Sequence, residues 1–559
     1  VFCFMTKSEI SFFTALYGGD YSENVKFGQL VKDFMEDVSD TMGLILGDPY
    51  ILVTDYHFPF RYFYSHGIQT FQTETFDEYL ELVYAGMYSI LEGAENSGDT
   101  WMNVHYFTVR LLKLFPDMTI DFMESVIDYV NQTKDADHKF FYDGEKIGLQ
   151  KNHNMELFIA NKVTGLLKEP SCSTSDFQYE PSDHLCDEQN EAIDAVMKTD
   201  FSILTGGPGT GKTTTINYIL SEYRKQYERK EIVLLAPTGK AAKRMDVCTG
   251  GEYMPTTIHY LALKEHFNHD NENPDIIDFC VIDEGSMIPL DIFYELMRYV
   301  RIKKLLIVGD IDQLESVSCG DILHDLIDLH VPTKRLLENH RSGDAIVENA
   351  RKIKMGFLNL HTSESFKIYE ASDDEIGDLV LSEYDRDTTM VLCPTREMTR
   401  QMNQRIKSFL YPDSDPRYYT CGDRVLFTRN NRKKGYVNGD TGTVETILAD
   451  GMHVEVDSEE SHNADSTVSV RGKMFDDVEL GYALTIHKSQ GSEYDKVVLC
   501  IPKGTGRLFS RNLLYTAVTR ARNEVVIIGS IEDLKKIIAK NPRRRQTFLK
   551  SFSETEQIA

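Results

Sequence analysis

From about residue 186 onward, short apolar runs alternate with longer stretches whose apolar residues recur at three-to-four spacing. The runs are "FSILTG", "EIVLLAPT", "DFCVIDE", "KKLLIVGD", "TTMVLCPT", "KVVLCIP" and "EVVIIGS". Near-continuous apolar runs mark strands buried on both faces, as in a parallel sheet covered by helices. Seven such strands are too many for one compact mononucleotide fold, so two tandem α/β domains are predicted. Two other regions have a different rhythm. Up to about residue 180 the chain is acidic and helical in period, as in "SENVKFGQLVKDFMEDV" and "TIDFMESVIDYVNQ". Between residues 418 and 480, "GDRVLFT", "NGDTGTVETIL" and "GMHVEVD" alternate in polarity between Gly, Asn and Asp turns, the pattern of a small antiparallel barrel. The segment "LLKEPSCSTSDFQYEPSD" reads as a linker. The predicted division is a mostly helical unit (1–170), a linker (171–185), a first α/β domain (186–333), and a second (334–417 and 481–559) that carries the inserted barrel (418–480). No internal repeat and no low-complexity tract stands out.

Composition narrows the class. A chain of 559 residues exceeds one core. No apolar run reaches the length of a membrane span. The opening "VFCFMTKSEI" lacks a basic flank and a cleavage site and does not read as a signal peptide; Met5 is a candidate start. Nine dispersed cysteines without a C-x-x-C pair argue against a disulfide framework or a zinc or iron–sulfur centre and imply a reducing, cytoplasmic compartment, the host cytoplasm if the source is viral. A net charge of −28 confines any nucleic-acid binding to a local basic groove.

The stretch "LTGGPGTGKTTT" fits G-x-x-x-x-G-K-[ST] at Gly206, Gly211, Lys212 and Thr213, following one strand and opening a helix. Backbone N–H groups of Gly206, Gly207, Pro208–Gly211 and the helix start, with Thr214, form a phosphate cradle; proline alone contributes no N–H. Lys212 reaches the β/γ-phosphates and the Thr213 hydroxyl suits Mg²⁺. In "CVIDEGS" a buried strand ends in Asp283, fit to hold Mg²⁺ through water, and Glu284, fit to orient and deprotonate the attacking water. ATP or GTP hydrolysis follows.

The motifs "DEQNEAI", "APTGKAAKRM", "TTIH", "DEGSM", "GDIDQLESV", "ENHR", "YALTIHKSQGSEY" and "LLYTAVTRAR" occur in order over about residues 183–559. This series resembles the RecD-like branch of the superfamily 1 helicases, the 5′→3′ DNA helicases of superfamily 1B. The resemblance implies two RecA-like P-loop domains with an SH3-like β-barrel insert, ATP and Mg²⁺ as cofactors, and 5′→3′ movement on single-stranded DNA toward a duplex junction. It further implies that Gln189 reads the adenine edge, that Gln313 senses the γ-phosphate, that Arg341 and Arg520 are arginine fingers, and that Glu493, beside Gly491, accepts from the ribose. Strand grips fall on Pro237, Thr238, Thr257 and His259 in the first domain and Thr485, His487, Lys488 and Ser489 in the second, residue types suited to sequence-independent phosphate contacts. The insert Lys264–Asp275, with Phe267 or His269, is either a duplex-splitting pin or a plain loop, and the basic "RNNRKK" either lines the strand path or is a solvated loop. The likeness is thinner before residue 170, where no helix-hairpin-helix pair is evident; this unit is a candidate dock for a replisome, single-strand-binding or nuclease partner. A monomer is expected. The alternatives to an independent DNA helicase are a motor subunit of a larger complex and an RNA-directed enzyme.

Overall fold

The computed structural model describes residues 50–54, 60, 76–168, 177, 179–227, 230–262, 275–339, 345–415, 417–431, 434–457, 467–507 and 509–554. Near the start, helices α1 (Phe76–Glu95), α2 (Val104–Leu114) and α3 (Ile120–Thr133) surround a three-stranded antiparallel sheet of β1 (Trp101–Asn103), β2 (Phe140–Tyr142) and β3 (Lys146–Leu149), with β3 central. Val83, Tyr84, Phe107, Val126, Val130 and Phe140 share its core. Asn103 caps α2 and Thr119 caps α3 through their side-chain oxygens, which is why each helix starts where it does. Among the described residues this part combines the three helices with a small sheet that the periodicity did not predict.

Helix α4 (Gln150–Lys168) belongs elsewhere by packing. Its Ile159, Ala160 and Val163 enter the core beneath the first parallel sheet. That sheet comprises β4 (Phe201–Gly206), β5 (Ile232–Ala236), β6 (Thr256–Thr257), β7 (Phe279–Ile282), β8 (Leu305–Gly309) and β9 (Thr333–Leu336), in the order β9-β4-β8-β7-β5-β6, all parallel. Helix α5 (Asp187–Met197) precedes β4, and α6 (Lys212–Gln226) and α7 (Gly239–Cys248) are the first two crossovers. The second sheet comprises β10 (Phe366–Glu370), β11 (Thr389–Cys393) with the following helix α8 (Arg396–Leu410), and three strands beyond the insert. The seven predicted apolar runs are all strands of these two sheets.

The insert is a five-stranded antiparallel sheet of β12 (Arg424–Phe427), β13 (Thr441–Leu448), β14 (Gly451–Val456), β15 (Thr467–Arg471) and β16 (Val478–Leu480), ordered β15-β14-β13-β12-β16. The expected closed barrel is not formed among the described residues: β15 and β16 are the two edges and do not pair. With only three residues, β16 covers one side of β12 and has little length left for a second partner. The insert is fixed to the second unit by a buried joint, in which Lys407 Nζ lies 2.5 Å and Tyr482 Oη 2.6 Å from the Asp423 carboxylate.

Beyond the insert come β17 (Ala483–Thr485), β18 (Tyr494–Ile501), α9 (Arg511–Val518), β19 (Ala521–Gly529) and α10 (Ile531–Ala539); the second sheet is ordered β10-β19-β18-β11-β17, again all parallel. The chain then crosses back as a strap. Arg543 pairs with Asp99, Arg544 with Asp328 at 2.8 Å, and Arg545 donates to the carbonyls of Ser316, Ser318 and Gly320 at 2.7–2.8 Å. Helix α11 (Phe548–Glu554) then packs on α4, with Leu549 in the first unit's core. No helix among the described residues is long and apolar enough to cross a membrane, and none of the seven described cysteines forms a disulfide.

The strap's anchor contains a titratable group. Glu156 is fully buried beside Asp325 and accepts from Thr100 Oγ1 at 2.8 Å and Phe548 N–H at 2.9 Å. Burial outweighs these donors and pushes its carboxyl from 4.5 up to about 8. The unfolded chain therefore releases this proton near 4.5 while the folded chain keeps it to about 8, so the group subtracts stability progressively as pH rises through that window. A Glu156→Gln variant is expected to lose this decline: melting temperatures of variant and parent from pH 5 to pH 8 should diverge in the variant's favour. Parallel curves would refute the assignment.

Candidate active site between the two sheets

The carboxyl ends of β4, β7 and β8 face the second unit across a cavity of about 470 Å³, the place where open α/β sheets bind ligands. The loop after β4 is set by its glycines. Gly209 (φ 77°) and Gly211 (φ 79°) adopt the left-handed region, and a Cβ on Gly206 would stand 2.6 Å from Thr210 Oγ1. Lys212 Nζ bends over the loop, donating to the carbonyls of Gly206 (2.8 Å) and Gly207 (3.0 Å). Pro208, Gly209, Gly211, Lys212, Thr213 and Thr214 line the cavity, whereas Gly206, Gly207 and Thr210 shape the loop behind it.

Asp283 and Glu284 stand at the end of β7, also on the cavity wall. Glu284 holds a left-handed backbone (φ 53°), a strained conformation for a non-glycine residue and common where a catalytic group must be aimed. Burial and the Glu284 charge raise the Asp283 carboxyl to about 6 against the pull of Lys212 and Arg244. The oxygen donors Thr213 and Asp283 fit Mg²⁺, which binds through one or two protein oxygens together with phosphates and waters; a dication there would relieve the crowding of the two acids.

Gln313 and Arg520 also meet at this cavity. Arg520 Nη2 donates to Gln313 Oε1 at 3.1 Å, and its other nitrogens bond the Thr516 and Ser492 carbonyls at 3.2 Å, so an arginine 3% exposed is fully aimed. Leu314 N–H donates to Thr516 Oγ1 (3.1 Å) and Gln490 Nε2 to the Leu314 carbonyl (3.3 Å), which closes the two units on each other beside the site. Gln189 lines the cavity too, but its Oε1 accepts from the Cys186 N–H (3.2 Å) as part of the α5 capping box, and its Nε2 faces the Gly211 carbonyl (3.5 Å). Glu493 lies on the cavity wall between Arg244 of the first unit (2.9 Å) and Arg522 of its own (3.3 Å). Arg244 is a site residue the sequence reading passed over; its guanidinium is held cationic, against burial, by Glu493, Glu284 and Asp283. Gly491 does not line the cavity: its left-handed backbone (φ 73°) sits beside Ala241 and Thr238 of the first unit. Asn339 donates to the Pro208 carbonyl at 2.8 Å; the finger candidate Arg341 lies outside the described residues, as do the pin candidates Phe267 and His269.

The grip residues fall into two kinds. His259, His487 and Lys488 are exposed, with Lys488 paired to Glu479 at 2.8 Å. The hydroxyls are used locally. Thr238 caps α7, Thr257 accepts from Tyr260 N–H, and Thr485 accepts from Lys488 N–H. Ser489 is fully buried and donates to the Ile486 carbonyl at 2.7 Å, which removes it from a strand-facing surface. The two units repeat one another here. Strand β5 leads into Ala236–Pro237–Thr238 and α7, with edge strand β6 and "TIH" beside it. Strand β11 leads into Cys393–Pro394–Thr395 and α8, with edge strand β17 and "TIH" beside it. Thr395 caps α8 with the same 3.2 Å bond that Thr238 gives α7. Pro394 and Thr395 are thus second-unit counterparts that the sequence reading missed, and the expectation of no internal repeat is corrected: the insert separates the two halves of the second copy.

A phosphate-binding loop, paired acids at a strand end and an arginine delivered from a second RecA-like sheet define a nucleotide-driven motor of the helicase type. Residues 189–319 match the family described as AAA domain, and residues 480–528 the UvrD-like helicase C-terminal domain. The chain is 31% identical over 419 residues to the RecBCD enzyme subunit RecD of Mycobacterium tuberculosis, covering 64% of this chain and 72% of that protein. It is 29% identical over 385 residues to the ATP-dependent RecD2 DNA helicase of Deinococcus radiodurans, covering 65% and 52%. A solved Pif1 helicase from Bacteroides, in complex with ADP-AlF3 and ssDNA, superposes with a TM-score of 0.43 at 19% identity, over 64% of this chain and 95% of that one. The chain belongs to the RecD-like family of superfamily 1 DNA helicases.

Proposed function

We propose that this chain is an ATP-driven motor that moves 5′→3′ along single-stranded DNA and parts the duplex at a junction, in replication, recombination or repair. The observation that carries this reading is the Gln313–Arg520 contact. It joins the two units at the nucleotide cavity, while the same units carry matched "PT" and "TIH" segments at corresponding sheet edges. A change of closure at the phosphates is then a change of spacing between two strand grips. On this reading, residues 186–333 and 334–417 with 481–559 are the motor domains, 418–480 is an inserted antiparallel sheet related to the SH3-like insert but open at its edges, and the region before 170 is an accessory unit whose last helix, α4, packs on the first motor domain.

In the mechanism, the loop amides and Lys212 hold the β/γ-phosphates, Glu284 orients and deprotonates water, and Gln313 registers the γ-phosphate. Arg520 stabilises charge spread over the transferring phosphoryl, with Arg341 as its proposed second. Thr213 and Asp283 would hold Mg²⁺, which when bound neutralises phosphate charge. Glu493, held between two arginines on the cavity wall, is assigned to the ribose hydroxyls and Gln189 to the base. His259, His487 and Lys488, with the Pro237 and Pro394 turns, would follow the strand backbone. The accessory unit exposes Tyr106 and Val109 on α2, which supports a protein partner there.

Two matched duplexes, one with a 5′ and one with a 3′ single-stranded tail, test the polarity. Only the 5′-tailed duplex is expected to be unwound with ATP and Mg²⁺. Preference for the 3′ tail would overturn the polarity. DNA-stimulated hydrolysis with neither duplex unwound would support a subunit awaiting its partner, and equal stimulation by RNA an RNA-directed enzyme.

A further inference from the structure

One side chain in the cleft has no role in the scheme above. Tyr515 lies on α9 of the second unit, 4% exposed, and its hydroxyl donates to Asp310 Oδ2 of the first unit at 2.9 Å. The same oxygen accepts from Gln313 Nε2 at 3.3 Å, and Gln313 Oε1 accepts from Arg520 Nη2 at 3.1 Å. The hydrogen-bonded series therefore leaves α9, passes through two side chains of the first unit and returns to the arginine that follows α9. All four side chains are buried, so each bond acts in a low dielectric and polarises the next. The phenol also reaches the phosphate-binding loop: a Cβ added to Gly207 would stand 3.3 Å from Tyr515 Oη.

The chemistry of the series fixes its direction. A carboxylate accepts only, so Asp310 must take the NH₂ end of the Gln313 amide, which turns the carbonyl end toward Arg520. Burial raises the Asp310 carboxyl, and the Tyr515 hydroxyl is among the groups that oppose this and favour the anion. Without the phenol, Asp310 Oδ2 loses its shorter donor; the Asp312 N–H still holds Oδ1 at 3.0 Å, so the oxygen that orients the Gln313 amide is the one left without its anchor.

We propose that Tyr515 is a positioning residue for hydrolysis: its hydroxyl holds Asp310, Asp310 sets the Gln313 amide, and Gln313 fixes the fork of Arg520 against the nucleotide cavity. The arginine is then registered to the phosphate-binding loop only when the two units are closed. This rests on the finger role of Arg520.

The test is a cycle of Tyr515→Phe, Arg520→Ala and the double variant, measuring DNA-stimulated hydrolysis, KM for ATP and melting temperature. The phenylalanine keeps the ring that packs in the second unit's core and removes only the donor. Tyr515→Phe is expected to lower kcat about tenfold or more, leave KM within about twofold, and add no further loss in the Arg520→Ala background, because the two act through one series. An unchanged kcat in Tyr515→Phe, or losses that multiply in the double variant, would overturn the proposal, as would a fall in melting temperature that accounts for the lost activity. If Arg520→Ala itself keeps full kcat, the finger reading fails; if Arg520→Ala is impaired and Tyr515→Phe is not, only the positioning role fails.

Discussion

A Lys212→Ala variant is expected to lose ATP hydrolysis by at least about a thousandfold while keeping single-stranded DNA binding within a few-fold of the parent. The lysine is the cation that stands over the phosphate-binding loop, and its ammonium bonds the Gly206 and Gly207 carbonyls. On the proposed mechanism its removal deletes the charge that would meet the β/γ-phosphates, and it leaves the loop backbone in place, because Gly209, Gly211 and the Thr210–Gly207 hydrogen bond set that backbone. The proposed strand grips lie at the sheet edges, on other elements. Phosphate release and fluorescence anisotropy with a labelled oligonucleotide check both halves. Loss of both activities at an unchanged melting temperature would mean that nucleotide site and strand path are not separable in the way the fold implies. Retained hydrolysis would remove the loop from the chemistry.

Arg520→Ala is expected to lower kcat by about 10³ or more with ATP affinity changed only a few-fold, the mark of a group that meets charge only in the transition state. The variant also removes a buried fork. Gln313 Oε1 and the Ser492 carbonyl lose the arginine's donors, while the Thr516 carbonyl keeps that of Thr519 Oγ1 at 2.9 Å; the stability cost is about 1–3 kcal/mol for a group left unsatisfied. Arg520→Lys separates the effects, because lysine keeps the charge and one donor nitrogen but not the planar fork. It should regain part of the stability and little of kcat. A kcat near the parent's in Arg520→Lys would mean that charge alone suffices; a near-parent kcat in Arg520→Ala would take the residue out of the reaction.

Residues buried on both faces were the legible ones. The seven central apolar runs admit one reading, because a strand covered by helices on both sides has no polar position to spare. The edge strands did not stand out: "TT", "TKRL" and "ALT" are short, and "FKIYE" mixes charge with apolar residues because one of its sides has no neighbouring strand. The insert's strands were visible by alternation, its openness was not, because closure depends on strand length and partners rather than pattern. That the glycine-rich loop and the Asp283–Glu284 pair would each follow a buried strand was legible, because each motif is local in sequence. Arg244, Asp310 and Tyr515 were not, because their partners stand on the other unit and nothing in their own segments announces the pairing. The second "PT" turn went unread since 63 residues of insert, 418–480, lie between it and its "TIH".

The strap sets a range of motion. Eight residues lie between Ala539, the last of α10, and Phe548, the first of α11, and fully extended they reach about 27 Å at ~3.4 Å each. The second unit is thus on a leash whose far end is sewn into the first unit's core by Leu549. Opening of the cleft has a fixed upper limit even when every contact across it is released, and the units recombine at the high effective concentration of tethered partners rather than by free diffusion. The leash also passes through the grip of Arg545 on the Ser316, Ser318 and Gly320 carbonyls, three to seven residues past Gln313. Tension in it would fall on the segment that follows Gln313, so that, if Gln313 senses the γ-phosphate as proposed, how far the jaws are open and what that side chain feels are parts of one mechanical circuit.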